Sequence, residues 1–174
     1  MAGLVAGCGP SKPAEKSAQP TTRDLAANPI FNVCSELSDA TLRGVGLDPS
    51  SKDVVTDPPT GVSSWRVCAW RPTGTDASGK RTIRVTIFSS AHTLAESRAN
   101  TKVNVLRDAN IGPRQGLVLQ DKTDTDESCY AAMPAEQGMF EVNISWGVTS
   151  VGTKPDLCEL AVEWAADLEP HLPK

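Results

Sequence analysis

With 174 residues, 39% of them apolar and 22% charged, the chain has enough apolar matter for one core and a tail. A formal charge of -4 leaves no basic field for phosphate backbones, so nucleic acid binding would lack its main electrostatic term and is set aside. No apolar run approaches the roughly 20 residues that a membrane-spanning helix needs.

Residues 4–8 read Leu-Val-Ala-Gly-Cys, a branched apolar residue and two small ones before Cys8. The run resembles the lipobox of bacterial lipoproteins. The resemblance implies cleavage between Gly7 and Cys8 and acylation of Cys8, and several acyl chains anchor a protein durably where one holds it marginally. Residues 1–7 carry neither the basic charge nor the apolar length of a signal peptide, so an initiation site upstream is expected. Residues 9–28 are Pro, Ala, Ser, Thr, Lys and Gln with almost no large apolar side chain, and read as a disordered tether. The expected division is a signal remnant over 1–8, the tether over 9–28 and one domain over 29–174.

Along that domain, residues 38–44 predict a short helix with Ser38 as N-cap and Gly44 or Gly46 as its stop. Residues 48–61, with three prolines among Asp and Ser, read as a loop. The run 64–71, Ser-Trp-Arg-Val-Cys-Ala-Trp-Arg, holds two of the four Trp and is read as the strand on which the rest packs. Trp65, Val67 and Ala69 would face one way, and Arg66, Cys68 and Trp70 the other. A polar tip at 72–80 leads to an alternating run at 81–88 with Ile83, Val85 and Ile87 on one face, predicting an antiparallel partner. Residues 89–103 change period, and Leu94, Ala95, Arg98 and Lys102 fit an amphipathic surface helix.

A short strand at 116–120, an acidic loop at 121–128, a strand at 129–133 and a turn at 134–138 follow. The clearest alternation is next, with Phe140, Val142, Ile144 and Trp146 on one face and Glu141, Asn143 and Ser145 on the other. After a loop at 147–154, residues 155–168 predict the last helix, with Pro155 in its first turn and Pro170 beyond its end. Leu157, Leu160, Ala161, Trp164 and Leu168 form its apolar stripe. The sum is an α+β single domain, an antiparallel sheet with helices packed on one face. An immunoglobulin sandwich is disfavoured, because at least two cysteines fall on helical segments.

Cys8, Cys34, Cys68, Cys129 and Cys158 are too widely spaced for a redox pair or a zinc ribbon. The four beyond Cys8 suit two structural disulfides made outside the cytoplasm. Three pairings are open to them. Cys34 with Cys68 and Cys129 with Cys158 are favoured, each closing a loop of about 30 to 35 residues worth roughly 3 to 4 kcal/mol.

Nucleophilic catalysis needs Ser, Thr or Cys beside a base, and the two histidines are His92 and His171. Ser89 and Ser90 stand near His92, yet they suit a capping run before the next helix. His171 lies among the last residues and is read as solvated. Neither a Gly-x-Ser-x-Gly elbow nor a Ser-x-x-Lys motif is present. Asp121, Asp124, Asp126 and Glu127 offer hard oxygen ligands without the spacing of a calcium loop, so no metal and no cofactor is assigned. The sequon at Asn143 lies within a strand and is read as coincidence. Most aromatic side chains are needed for the core. Trp65, which begins its strand beside a long loop, is the one named for an exposed binding surface.

The order of lipobox, tether, Cys34-x-x-Leu37, Gly46-Leu47, Cys68-x-Trp70, Cys129 and a final Cys158 on a helix ending in Leu-Pro resembles a family of small secreted actinobacterial lipoproteins, grouped as a domain of unknown function. The resemblance covers about residues 30–173. It implies the envelope of a high-GC Gram-positive organism, and no activity. The function expected is a non-enzymatic binding or accessory module, lipid-anchored on the outer face of the cell membrane, that meets an envelope lipid, glycan or protein. Two alternatives stand beside it. An envelope hydrolase acting on glycan or lipid through carboxylates would be favoured by an apolar pocket holding a carboxyl of raised pKa. A structural protein of an envelope assembly would be favoured by a large exposed apolar patch.

Overall fold

The computed structural model describes residues 24–59, 61–74, 83–147 and 153–174. Cys8, the tether up to residue 23, the predicted tip from residue 75 and most of the loop at 147–154 lie outside the described residues. Within them seven strands form one antiparallel sheet: β1 (Leu47–Thr56), β2 (Trp65–Pro72), β3 (Ile83–Ser90), β4 (Val103–Ile111), β5 (Arg114–Asp121), β6 (Ser128–Ala135) and β7 (Gly138–Trp146). Their order is β1-β2-β3-β7-β6-β5-β4, so two meanders enter from opposite edges and meet where β3 pairs with β7. The helices are α1 (Val33–Glu36), α2 (Asp39–Gly44), α3 (Leu94–Ala99) and α4 (Leu157–Leu168), the last followed by a 3-10 turn at Glu169–His171.

One face of the sheet carries the core. Cys68, Trp70, Val85, Ile87, Cys129, Ala131, Phe140, Val142 and Ile144 meet Val33, Leu42, Leu157, Ala161 and Leu168 from α1, α2 and α4. Disulfides pin this layer at both ends. Cys34 of α1 is bonded to Cys68 of β2 and Cys129 of β6 to Cys158 of α4, at Cα separations of 5.4 and 5.0 Å. These are the favoured pairs. The Trp164 indole donates to the Val45 carbonyl at 3.0 Å, which ties α4 to the end of α2.

The caps follow from sequence. Asn32, Ser38 and Thr93 open α1, α2 and α3 by accepting backbone N–H bonds, as the first turn of a helix requires. Asp156, not Pro155, caps α4, and its carboxylate accepts from Cys158 and Glu159. Pro170 sits inside the 3-10 turn that ends the helix.

Four expectations change. The run 64–71 is second from an edge, and the middle strand is β7, whose residues 139–144 are all buried. Aromatic richness marked a strand with two packed faces, which is a different property from centrality. Residues 47–56, read mostly as loop, form β1. An edge strand tolerates Pro49, and its two register shifts against β2 erase the alternation that would have revealed it. The helix expected over 89–103 shrinks to α3, because Ser89 and Ser90 complete β3 and Thr93 starts the helix afresh. β4 was not anticipated, since a register shift between Val105 and Arg107 breaks its period. β6 also runs through Pro134, which is tolerated because pairing with β5 ends at Ala132.

The C-terminus is locked by a buried ion pair. Arg114 donates to the Glu169 carboxylate at 2.8 Å and to the carbonyls of Pro134 and Leu172 at 2.9 and 3.1 Å. Lys174 reaches the same Glu169 oxygen at 2.5 Å. Hydrogen bonds from Lys174 and then Arg114 hold the Glu169 carboxyl below its usual value. A lowered folded pKa contributes stability above the unfolded carboxyl value and loses it as pH falls. Arg114→Met is therefore expected to lower unfolding free energy at pH 7 by about 3 kcal/mol, with the deficit shrinking as pH falls and Glu169 takes up its proton. Urea midpoints across that range check it, and an unchanged midpoint at pH 7 would contradict it.

Candidate functional site

Among the described residues, the opposite face of the sheet carries α3 as its one helix and a small apolar cluster of Leu117, Leu119 and Ala132, with Leu94 and Tyr130 against it. Beside that cluster lies a groove of about 370 Å³. Its walls are aromatic. Trp65 of β2 and Phe88 of β3 stand edge to face with ring centroids 6.0 Å apart, Phe88 and Tyr130 of β6 are also 6.0 Å apart, and His92 lies over Trp65 at 5.3 Å. Leu119, Met139 and Glu141 lie deepest, with Glu96, Ser97 and Asn100 at the α3 rim.

Strand alternation sends each of these side chains there. Arg66, Cys68 and Trp70 are spent on the core face, so Trp65 turns to the other. Phe140 and Val142 enter the core, so Glu141 between them must point into the groove, opposite Phe88 on β3 and Ala132 on β6. The rim is held by the Thr93 capping box with Glu96 and by a contact of the Ser97 hydroxyl with the Met139 sulfur at 3.3 Å. Gly138, at φ +143, has the 90–92 backbone so close that a Cβ there would meet the Ser90 carbonyl oxygen at 2.5 Å and that of His92 at 2.6 Å. Only glycine lets this segment cross the β6 to β7 turn and deliver His92 to the groove.

Glu141 is 8% exposed, and no described residue offers its carboxyl a hydrogen bond or ion pair. Burial pushes it up to about 7. Glu96 and Asp121 are held low instead, Glu96 chiefly by the Thr93 N–H and Asp121 chiefly by the Thr123 hydroxyl. Burial raises the Tyr130 phenol, and the charge of Glu141 adds to it. Among the described residues the groove is thus lined by three acidic side chains and by no Lys or Arg.

His92 is placed by partners that sequence proximity did not suggest. Its Nε2 meets the Ser64 hydroxyl at 3.1 Å, because β2 pairs with β3 and brings Ser64 alongside. Ser90 accepts the His92 backbone N–H at 2.9 Å, and Ser89 is engaged by Gln137 at 2.6 Å. Hydroxyl, imidazole and carboxylate occur in the order of an acyl-transfer relay. The last link, His92 Nδ1 to Glu96, is long at 3.5 Å, and the other Glu96 oxygen accepts the Thr93 N–H and hydroxyl.

The remaining sequence candidates scatter. Asp121 reaches the groove, while Asp124 accepts from the Ser128 hydroxyl at 2.9 Å and the Asp126 carbonyl from Lys154. Among the described residues no three His, Cys, Asp or Glu side chains are grouped to hold a metal. Asn143 is buried and donates to the Cys129 carbonyl, so the sequon is no acceptor site. His171 is exposed. Val54 and Val55 on β1 and Val105 and Leu106 on β4 are exposed at opposite edges of the sheet, not in one patch. No described helix is long and apolar enough to cross a membrane.

Residues 3–171 match the profile of a family described as a protein of unknown function (DUF3558). The chain belongs to that family. No curated protein and no solved structure matches it. In this DUF3558 chain the groove brings three aromatic rings and the buried Glu141 carboxyl together.

The folded chain keeps the Glu141 proton to about pH 7, whereas an ordinary glutamate releases it near 4.5. Between these values the folded state binds more protons, so stability falls as pH rises and stays lower above about 7. Glu141→Gln should remove that slope, raising stability at pH 8 by about 3 kcal/mol and changing little at pH 4. Urea midpoints of both proteins test this, and parallel pH profiles would show the carboxyl to be solvated.

Proposed function

We propose that this protein is a non-enzymatic binding lipoprotein of the cell envelope, tethered to the outer face of the membrane through Cys8 and carrying a small, largely apolar molecule in its aromatic groove. One observation carries the binding role. The chain has eight aromatic side chains, and three of them, Trp65, Phe88 and Tyr130, line an open groove on the face that the core does not use. Phe31, Trp70, Phe140, Trp146 and Trp164 pack with the core. A concave, mostly apolar surface with a few converging polar groups is the usual form of a small-molecule site.

Three features support the rest of the reading. Two disulfides suit an oxidising compartment outside the cytoplasm. The lipobox-like residues 4–8 and the polar stretch after them suit an anchor and a spacer. Glu141 is the raised carboxyl in an apolar groove that an envelope hydrolase would use as its acid, but a glycosidase-like hydrolase needs a second carboxyl free to work on the same bond, and Glu96 and Asp121 are committed to the turns that hold them.

The full chain, produced with a complete signal in an actinobacterium and examined by native mass spectrometry, is expected to retain a discrete solvent-extractable mass. Trp65→Ala should lower its occupancy, since losing an aromatic anchor costs about 2 kcal/mol. A bare mass in the unsubstituted protein would contradict the reading, and a covalent adduct on Ser64 would make the groove an acyl-transfer site. For the anchor, Cys8→Ala should move the protein from the membrane fraction to the medium or leave it unprocessed. An unchanged membrane fraction would remove the lipid from the proposal.

A further inference from the structure

The groove is built for a charge as well as for an apolar body. We propose that its ligand is an apolar cation, an amine or quaternary ammonium group on an apolar frame, held with its charge over Glu141 and among the rings of Trp65, Phe88 and Tyr130. The inference rests on the groove being the ligand site and names the chemistry of what it takes.

Two independent observations converge on this class. Among the described residues the charges lining the groove are Glu141, Glu96 and Asp121, with no Lys or Arg in the lining and Lys102 acting on Asp121 from outside it, so the lining favours a cation over an anion. Glu141, 8% exposed and aimed into the groove, has no hydrogen-bond or ion-pair partner among the described residues, so its carboxyl is left for a donor that enters the groove. The rings add the faces that attract cations. Trp, Tyr and Phe surfaces bind ammonium groups best where water is excluded, and these three form a continuous series beside the carboxyl.

Binding of a cation here competes with the Glu141 proton. The titratable groups facing Glu141 are Tyr130 from β6, Asp121 from β5, and His92 with Glu96 at the α3 end, while β3, β2 and β4 present Phe88, Trp65 and Val103. Glu96 and Asp121 are held low and stay charged through neutral pH, so they supply a constant field. Affinity for the cation should rise with pH as Glu141 gives up its proton.

The test compares phenyltrimethylammonium with its uncharged isostere tert-butylbenzene on the full chain, followed by Trp fluorescence and amide chemical shifts. The cation is expected to bind about tenfold or more tighter than the isostere at pH 7.5 and to weaken about tenfold at pH 5.5. Glu141→Gln should bring it to the level of the isostere and abolish the pH dependence. Equal affinity for the two probes, or a cation affinity indifferent to Glu141→Gln, would overturn the cationic ligand and leave the apolar groove standing. Binding of neither probe would overturn the inference and count against the groove reading itself.

Discussion

Strand β7 has to serve two faces at once. Its odd and even positions cannot exchange roles without a slip of register, because the side-chain period of a strand is two. With Phe140, Val142 and Ile144 committed to the layer under α4, residue 141 is fixed on the far face in the middle of the sheet. A carboxyl there has Phe88 and Ala132 as cross-strand neighbours and cannot reach bulk water as it would at an edge. The core and the groove therefore share one constraint. What secures the register for packing also holds the acid in an apolar site.

The division of helices explains why a groove exists. α1, α2 and α4 cover one face and are stapled there, so their positions are settled before anything on the far face is considered. The far face of a seven-stranded sheet is left with α3, six residues long, lying at the end of β7. So short a helix cannot cover the sheet. The aromatic side chains beside it fill part of the gap and leave the rest open, and Gly138 lets the approach to α3 lie against the sheet. The edges are handled separately. β1 and β4 both carry register shifts, a device that twists an exposed edge away from pairing with other chains.

Much of the core layer was legible in the sequence because its signals are local. Alternation in β7, the stripe on α4, the Ser38 cap and the cysteine spacing each lie within one element or follow from chain order. β1 and β4 were obscured by the same physics that protects them, since a bulge breaks the period that a reader counts. The site was legible only in part. Trp65 could be named because it begins a strand next to a loop, but Phe88, Tyr130 and Glu141 are spread over three strands that come together through the order β2-β3-β7-β6. Ser64 and His92, 28 positions apart, meet for the same reason. The signal that pointed to Glu141 was present as a charged residue in the cleanest alternating strand, on the face opposite Phe140, Val142 and Ile144.

The place of Glu141 departs from the usual pattern of a two-faced sheet. A half-exposed antiparallel sheet places charged residues on its outer face at little cost, and Glu141 would fit that pattern if its face were open. Here Phe88, Leu119, Tyr130 and Met139 surround it, and the desolvation that raises its pKa is a standing cost to the folded state at neutral pH. A Gln or Met at the same register would satisfy the alternation without that cost. Natural chains carry such locally unfavourable residues chiefly where function requires them, with stability supplied elsewhere. In this fold the supply is identifiable: two disulfides brace the core face, and each is of the same order as the burden imposed by one buried acid. Rigidity concentrated on one face of the sheet is what permits an unpartnered carboxyl on the other.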